Sequence, residues 1–420
     1  MAFASAWLQK GAVFPQMVRE APNPGTEIII VIPAFDEAGI IRLLDSLAAC
    51  DPPECQSEVI VGVNAPANAT QEGLINNMHA IRNLQAWEKE NPNCFFRLYF
   101  FDLGQPSLKN WGVGLARKSL MDEALRRFDS VEKPGGIIVN IDADCVVDTN
   151  YFTALENDFL LIPGRKACSV FFEHPVKGDE FPGEVYSNVV LYELHLRYYQ
   201  NALRYTGFPY TFHTVGSSIA VRALTYMLAG GMNRRQAGED FYFVQKLMPA
   251  GGYFNLNTTT VYPSPRPSER VPFGTGMTIA KMLEGGAKSY FTYNPGAFSD
   301  LKEVFSMAGR AFKSGEKAIT GLYYELPATI REFMDSDEWT FKISEVSRNT
   351  SGIESFRKRF FEWFNMFKVV KYLNHSHISA FRKIPVEDAA IELLAAAGAI
   401  NIPGTPLELL LLFRKIGREF

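Results

Sequence analysis

The 420-residue sequence has little cysteine, little net charge and no long apolar run. Five cysteines, without a Cys-x-x-Cys pair, indicate neither a disulfide framework nor a zinc site and favour a reduced compartment. A formal net charge of -4 gives no overall electrostatic case for nucleic acid. No stretch of roughly 18 to 20 residues is both uncharged and predominantly apolar, as a membrane span requires. Gln9 and Lys10 interrupt the short apolar start, so no cleaved signal is expected. These absences predict a globular, cytoplasmic protein.

What the sequence does contain is an alternation of strand-like and helix-like segments in a chain that is 47% hydrophobic, enough for a large core. Runs rich in β-branched and aromatic residues predict strands at 27–32, 59–63, 94–101 and 137–141. Apolar spacings of three and four predict helices at 37–49, 70–90 and 109–128. This alternation predicts an α/β fold with a doubly wound, mainly parallel sheet.

Strand signals thin out after about residue 300, and the pattern becomes helical. We therefore predict three parts, namely a leader segment at 1–26, an α/β domain at 27–295 and a mostly helical C-terminal region at 296–420.

Two aspartates, Asp142 and Asp144, directly follow the last predicted strand. Ligands of open α/β sheets bind beyond the carboxyl ends of the strands. Carboxylate oxygens suit Mg²⁺ or Mn²⁺, which would neutralise a bound diphosphate. The alternative is an ordinary turn, because so short a pattern also arises by chance. The same spacing at Asp335 and Asp337 has no strand before it, and we interpret that copy as a helix cap or a solvated turn.

A second acidic pair, Glu239 and Asp240, precedes an apolar stretch with helical spacing. The plain interpretation is a helix N-terminus, where acidic residues are favoured. Combined with a metal site about a hundred residues upstream, one carboxylate would instead act as a general base on a hydroxyl. The turn at 33–37 has no glycine-rich phosphate loop, which argues against a dinucleotide-binding dehydrogenase and against a nucleotidyltransferase.

Three blocks in order resemble those of the family 2 glycosyltransferases, which have the GT-A fold and use nucleotide sugars. The first is Ile-Pro-Ala-Phe-Asp-Glu at 32–37, similar to the family's Pro-x-x-Asn-Glu element. The second is Ile-Asp-Ala-Asp at 141–144, similar to its metal-binding triplet, and the third, at 230–240, is similar to its acceptor-side block. The resemblance covers about residues 27 to 290 and implies a GT-A type sheet.

The resemblance implies a role for each acidic residue. Asp144 would ligate the metal, and Asp142 would contact the nucleotide ribose or a metal-bound water as a second metal-site residue. Asp240 would be the catalytic base, supported by Glu239. Inversion at the anomeric carbon is also implied by the family. The absent Gln-x-x-Arg-Trp signature argues for transfer of single sugars rather than polymerisation.

The same resemblance implies a nucleotide pocket, with two departures from the family pattern. Its residues would be Pro33, Ala34, Glu37, Asn64 and Arg117. Asn64 stands where the family usually has an acid that reads the base; its amide oxygen still accepts a hydrogen bond, so uridine is not favoured over guanosine. Lys118 replaces the usual Asn after Arg117. These departures favour the alternative of a scaffold protein that has lost turnover.

The expected partners are a nucleotide-diphosphate sugar and a glycan, lipid-linked or small-molecule acceptor. A proline-rich loop at 262–276 is a further site candidate, because Arg266 and Arg270 in it could reach a diphosphate. The alternative for this loop is a surface loop with solvated arginines. His174, His195 and His213 are each interpreted as structural, with an extra metal ligand as the alternative.

An aromatic stripe with basic flanks at 356–373 would fall on one face of a helix. Such a helix either lies on an anionic membrane or packs on the protein's own core, and we favour the core. The membrane alternative predicts a peripheral location at the inner face of a membrane and makes a lipid-linked acceptor plausible.

Overall fold

The computed structural model describes residues 2–106, 108, 111–234, 238–286 and 288–420. Lys109, where a predicted helix begins, and residues 235–237 of the third block lie outside this part of the chain. The chain forms two compact units, which we call the first and the second unit. The first comprises Met1–Gly178 and Thr214–Met277, and the second comprises Asp179–His213 and Thr278–Phe420. The predicted domain boundaries at residues 27 and 296 stay a prediction.

The helices, in chain order, are α1 (Ser5–Gly11), α2 (Ile40–Ala48), α3 (Gln71–Glu90), α4 (Val113–Ser130), α5 (Tyr151–Leu155), α6 (Gly183–Tyr205), α7 (Ala223–Leu228), α8 (Glu239–Leu247), α9 (Thr275–Glu284), α10 (Pro295–Arg310), α11 (Glu316–Glu325), α12 (Ala328–Phe333), α13 (Ser336–Arg348), α14 (Ile353–Trp363), α15 (Met366–Ser379), α16 (Val386–Ala396) and α17 (Pro406–Glu419).

The strands are β1 (Thr26–Ala34), β2 (Gln56–Asn64), β3 (Phe96–Gly104), β4 (Ile137–Asn140), β5 (Val146–Val147), β6 (Ala167–Phe172), β7 (Ile219–Arg222), β8 (Tyr253–Tyr262), β9 (Phe291–Thr292) and β10 (Ile384–Pro385).

The sheet of the first unit has the strand order β3-β2-β1-β4-β7-β6-β8-β5. Strands β3, β2, β1 and β4 are parallel, and so are β6 and β8. Strand β7 runs antiparallel to both of its neighbours, and β5 runs antiparallel to β8. The run 28–32 of β1 is fully buried, as expected for a strand covered on both faces. The prediction of an α/β protein with a mainly parallel sheet is confirmed.

The predicted helices of the first unit are confirmed, with shifted ends. The helix predicted from residue 37 starts at Ile40, because Asp36 has a positive φ of 54° and continues the turn after β1. Thr70 caps α3 by accepting a hydrogen bond from the N–H of Gly73 at 3.1 Å. The helix predicted at 109–128 is α4, which ends at Ser130.

The N-terminal segment is hydrogen-bonded to α4 within the first unit, and we call these contacts the N-terminal strap. Two buried carboxylates of α4 hold its backbone. Asp129 Oδ1 accepts from the N–H of Ala4 at 2.6 Å, and Glu123 Oε1 accepts from the N–H of Val18 at 3.0 Å. The predicted leader segment therefore packs on the α/β sheet's own helix layer.

The second unit is mostly helical, as predicted for the C-terminal region. Helix α6 packs against α10, α16 and α17. Its buried Glu193 accepts hydrogen bonds from Arg197 Nε at 2.7 Å and from Arg414 Nη2 of α17 at 2.7 Å. The buried carboxylate of α6 is thus paired with guanidinium groups of α6 and α17.

The aromatic stripe at 356–373 packs on the core of the second unit, the interpretation favoured from the sequence. Phe356, Phe360 and Phe364 are buried, and Phe305 of α10 packs edge-on against Phe364 with ring centroids 5.4 Å apart. The stripe is divided between α14 and α15. Membrane contact through 356–373 stays a prediction. Phe356, Phe360 and Phe364 are buried and offer no exposed apolar surface for such a contact. In the part of the chain that the structure describes, no helix has both the length and the apolar character to cross a membrane.

The second aspartate triplet behaves as predicted. Asp335 is the N-cap of α13, and its Oδ1 accepts from the N–H of Glu338 at 2.7 Å. The interpretation as a helix cap is confirmed.

Candidate active site at the carboxyl ends of the strands

The two aspartates of the first triplet lie in the turn that follows β4. Strands β1, β2 and β4 are parallel, so their carboxyl ends meet at one edge of the sheet. Asn140, the last residue of β4, is fully buried, and its Nδ2 donates to the carbonyl of Gly216 at 2.5 Å. This bond fixes the start of the turn, in which the side chain of Asp142 is 38% exposed.

Arg117 of α4 joins the two acidic clusters. Its side chain is 4% exposed, and its Nη2 donates to Asp142 Oδ1 at 2.6 Å. Its Nη1 donates to the carboxylate of Glu239, in the first turn of α8. Burial alone would lower the pKa of Arg117, but the charges of Asp142, Glu239 and Asp240 raise it, so the guanidinium stays charged. One buried cation therefore holds the turn after β4 against the start of α8.

Asp240 is a carboxyl group whose pKa lies near neutrality. Burial and the charge of Glu239 raise the pKa of Asp240 to about 7, against a smaller lowering by Arg117. Its Oδ1 accepts from the N–H of Phe241 at 2.7 Å. A Cβ at Gly216 would lie 3.0 Å from Asp240 Oδ2 and 3.2 Å from Arg117, so this glycine permits the close approach of both groups. The arrangement suits a group that takes up a proton at physiological pH.

Asp144 lies between carboxylates and arginines. Burial raises the pKa of Asp144 to about 7, helped by the charges of Glu37 and Asp142, while Arg266 and Arg270 lower it. An excess of negative charge at buried oxygens is a fitting environment for a cation.

The loop at 262–276 is docked on the turn after β1. Glu37 is 7% exposed, and its Oε1 accepts from Arg266 Nη2 and from Arg270 Nη1, both at 2.6 Å. Arg270 Nη1 also donates to the carbonyl of Phe35 at 2.5 Å. The arginines are therefore held at the strand ends, unlike those of a solvated surface loop. Their contact with a diphosphate stays a prediction.

Three of the residues predicted for the nucleotide pocket, Pro33, Ala34 and Asn64, lie at the ends of β1 and β2, whereas Arg117 lies in α4. Pro33 and Ala34 end β1 and are buried. Asn64 ends β2, is 2% exposed, and its Oδ1 has no hydrogen-bond partner among the described residues. Asn77 of α3 ties the two ends together, donating to the carbonyl of Asn64 at 2.9 Å and accepting from the N–H of Asp36 at 3.0 Å. The unpaired amide oxygen is a free acceptor at the strand ends.

Three residues of this site were missed from the sequence: Asn77, Asn140 and Gly216. A signal existed for two of them, because an asparagine inside an apolar helix face or at the end of an apolar strand must find a buried partner. For Gly216 the sequence shows only a glycine in a polar turn, since the residues that approach it come from distant segments.

The donor set of Asp142 and Asp144 fits a hard cation. Mg²⁺ is bound in proteins through one or two carboxylates, with substrate phosphates and waters completing its shell. Within the described residues, no group of three or more His, Cys, Asp or Glu side chains is arranged to hold a metal. The remaining ligands would therefore come from substrate and solvent.

The three histidines have structural surroundings. His174 Nε2 forms a hydrogen bond with Thr275 Oγ1 at 3.1 Å, and His195 Nδ1 forms one with Thr292 Oγ1 at 2.8 Å in the second unit. Burial lowers the pKa of His195 to about 4 and that of His213 to about 3, so both are neutral.

Comparison with known proteins gives similarity to solved structures alone. No protein-family model matches the chain, and no curated protein matches it. The similar solved structures include glycosyltransferases. TarS of S. aureus in complex with UDP-GlcNAc is 12% identical with a TM-score of 0.40, over 80% of this chain and 92% of that one.

Two further structures show the same level of similarity. The mannosyltransferase PcManGT from Pyrobaculum calidifontis, in complex with GDP-Man and Mn²⁺, is 15% identical with a TM-score of 0.35, over 99% of this chain and 93% of that one. The third structure is glucosyl-3-phosphoglycerate synthase from Mycobacterium tuberculosis, in complex with Mn²⁺, UDP and phosphoglyceric acid. It is 17% identical with a TM-score of 0.37, over 67% of this chain and 90% of that one. Identities and TM-scores this low do not show a shared function.

Proposed function

We propose that this protein is a glycosyltransferase that moves a single sugar from a nucleotide-diphosphate sugar to an acceptor hydroxyl. One observation carries the proposal. Arg117 contacts both Asp142 and Glu239, so two acidic clusters that are far apart in the sequence meet at the carboxyl ends of parallel strands. Sugar transfer needs two carboxylate sites. One holds a cation at the diphosphate leaving group, and the other takes the proton of the acceptor hydroxyl.

Asp142 and Asp144 would hold Mg²⁺ or Mn²⁺. When bound, the metal would stabilise the charge that develops on the departing diphosphate. Arg117 keeps Asp142 in place through its Oδ1, and Asp144 is poised among Glu37 and the two arginines of the loop.

Asp240 would deprotonate the acceptor hydroxyl. A general base works best when its pKa lies near the working pH, and burial with the Glu239 charge brings the pKa of Asp240 to about 7. The negative charge of Glu239 would keep the pKa of Asp240 high. The ion pair of Glu239 with Arg117 would balance the charge of Glu239 beside Asp240. Attack opposite the leaving diphosphate would invert the anomeric carbon.

The donor would be held at the strand ends. The unpaired Asn64 Oδ1 would accept a hydrogen bond from the base, and Pro33 and Ala34 would line the pocket beside it. Arg266 and Arg270, now paired with Glu37, would turn to the diphosphate, for which guanidinium groups are well suited.

The experiment is a hydrolysis screen of UDP- and GDP-sugars with Mn²⁺ or Mg²⁺, which needs no acceptor. We expect slow, metal-dependent hydrolysis of one donor class and its loss in Asp144→Ala. Asp337→Ala is the matched control, because Asp337 belongs to a triplet of the same spacing in α13 and is exposed. Nucleotide binding that is independent of metal and of Asp144, without hydrolysis, would instead identify the chain as a scaffold protein.

A further inference from the structure

A cavity lies in the first unit between the N-terminal segment and the turn after α7. Its volume is about 260 Å³. It is lined by Trp7, Gly11, Lys118, Gly230, Met232, Asn233 and Arg234. None of these residues takes part in the predicted metal site or nucleotide pocket.

Local sequence explains how the cavity forms. Gly231 has a positive φ of 71°, and a Cβ there would lie 2.9 Å from the Trp7 ring, so glycine lets the indole close one wall. The ring also packs edge-on against Tyr226 with centroids 5.9 Å apart. The strap through Asp129 and Ala4 fixes α1, which carries Trp7.

The charged groups at the cavity are mainly cationic. Lys118 is 4% exposed, and its Nζ lies 5.0 Å from the Trp7 ring centroid and 2.8 Å from Asp122 Oδ2. Arg234, at the rim, is exposed and donates to the carbonyl of Gly11 at 3.0 Å. Lys246 stands behind the turn, 3.3 Å from the Gly231 carbonyl.

Two observations describe the charge around the cavity, namely the pKa of Lys246 and the partners of Asp122. Burial and the nearby charge of Lys118 lower the pKa of Lys246, as expected where positive charge accumulates. Asp122 is occupied by Lys118 and by the hydroxyl of Tyr226 at 2.7 Å. An anion in the cavity would therefore meet the guanidinium of Arg234 at the rim and, beside it, the Lys118 ammonium that Asp122 also contacts.

One wall of the cavity contacts the residue before the proposed base. Asn233 Nδ2 donates to the carbonyl of Glu239 at 3.4 Å, which ties the cavity wall to the residue before Asp240. Lys118 follows Arg117 on α4, and Arg117 pairs with Glu239. A molecule anchored in the cavity would thus lie beside the start of α8.

We infer that this cavity binds a phosphate group of the acceptor, with Trp7 packing against the body of the acceptor. The inference rests on the proposed function, since it names the acceptor class for Asp240. Arg234 and Lys118 would set specificity by charge, and Trp7 by shape.

The direct test measures binding of glycerol phosphate, with glycerol as the neutral partner, by titration of intrinsic tryptophan fluorescence. We expect glycerol phosphate to bind and glycerol not to bind. Trp7→Phe should remove most of the signal, and Arg234→Ala should raise the Kd about tenfold, the usual value of one charge-assisted hydrogen bond. Arg310→Ala, an exposed arginine of α10 paired with Glu325, is the matched control and should bind as the unmodified chain does.

Equal Kd values for Arg234→Ala and the unmodified chain would overturn the inference, as would equal binding of glycerol. Vesicles containing phosphatidic acid form a second arm. If the unmodified chain sediments with these vesicles and Arg234→Ala does not, the phosphate belongs to a lipid. If the chain binds glycerol phosphate but not the vesicles, the phosphate belongs to a soluble acceptor.

Turnover separates this inference from the proposed function. If the unmodified chain hydrolyses a donor but transfers equally well to neutral and anionic acceptors, the inference fails and the function stands. If no donor is hydrolysed, the proposed function itself fails.

Discussion

Asp240 is the residue on which the proposed chemistry depends most directly. Asp240→Asn keeps the size of the side chain but removes its capacity to accept a proton. We expect transfer to fall by about 10²- to 10⁴-fold, the usual contribution of a general base. Donor Kd, measured by calorimetry, should change little, and Asp337→Asn should behave as the unmodified chain. Undiminished transfer by Asp240→Asn would remove the assignment.

The pH dependence follows from the same carboxyl group. The base must be deprotonated, and the pKa of Asp240 is raised to about 7. We expect kcat of the unmodified chain to rise about tenfold per pH unit below 7 and to level off above it. At saturating metal, which keeps Asp144 deprotonated, the residual activity of Asp240→Asn should lack this rising limb.

Stability should respond to pH in the opposite direction. The pKa of Asp240 is raised from 3.8 to about 7, so the folded chain holds this proton more tightly than the unfolded chain. This contribution is present below pH 4 and is lost as pH rises through 7. Asp240→Asn has no carboxyl group at this position and therefore does not lose stability in this way as pH rises. The Tm of Asp240→Asn minus the Tm of the unmodified chain should thus be larger at pH 8 than at pH 4. An equal Tm difference at both pH values would contradict the assigned pKa.

At the scale of elements, the turn before β7 controls how closely two charged groups approach. Gly216→Ala places a Cβ 3.0 Å from Asp240 Oδ2 and 3.2 Å from Arg117, so one of them must move. We expect kcat to fall about tenfold to a hundredfold, because small displacements of a catalytic group are costly. Gly309→Ala in α10 is the control, since a Cβ there meets no atom within 4 Å. Equal kcat values for the two variants would show that the turn does not position the base.

The N-terminal strap is a second element with a measurable role. Asp129 accepts the N–H of Ala4 and the hydroxyl of Ser5, each at 2.6 Å. Asp129→Ala should cost about 1.5 to 3 kcal/mol in the free energy of unfolding, because bonds to a buried carboxylate are lost. Urea titration measures this, and limited proteolysis should cut the segment before β1 sooner. A cleavage rate equal to that of Asp337→Ala would contradict the strap.

At the scale of the whole molecule, long-range charge pairs join segments that are distant in the chain. In the second unit Arg414 of α17 pairs with the buried Glu193 of α6. Arg414→Ala leaves Glu193 with Arg197 but without its second partner, and we expect a loss of about 3 kcal/mol. Urea titration against Lys415→Ala, an exposed neighbour, provides the comparison. Equal midpoints for both variants would show that α17 is held by apolar contacts alone.

Local pattern predicted the strands β1 to β4 and the helices α2 to α4, because burial on one or both faces leaves a period in the sequence. The run 28–32 reads as a fully buried strand, and β1 is that strand. The ends were less well predicted, since Asp36 with its positive φ delays α2 to Ile40. A single residue with φ above zero leaves no periodic signal.

The candidate site was predicted in part. The positions of Asp142 and Asp144 follow from the apolar run before them, and the aromatic stripe at 356–373 follows from helical spacing. Whether that stripe meets a membrane or the core could not be read from spacing, because both environments are apolar. Burial of Phe360 and Phe364 in the second unit favours the core.

The sequence by itself determined the strands β1 to β4 and the acids in the turns that follow β1 and β4, since these depend on neighbours within a few residues. Only the tertiary structure decided that Arg117 contacts both Asp142 and Glu239, which follow it in the chain by 25 and 122 residues. It also decided that Glu37 holds Arg266 and Arg270. The reason is physical: a charge pair is set by distance in space, and packing of the sheet and helices, not chain order, fixes that distance.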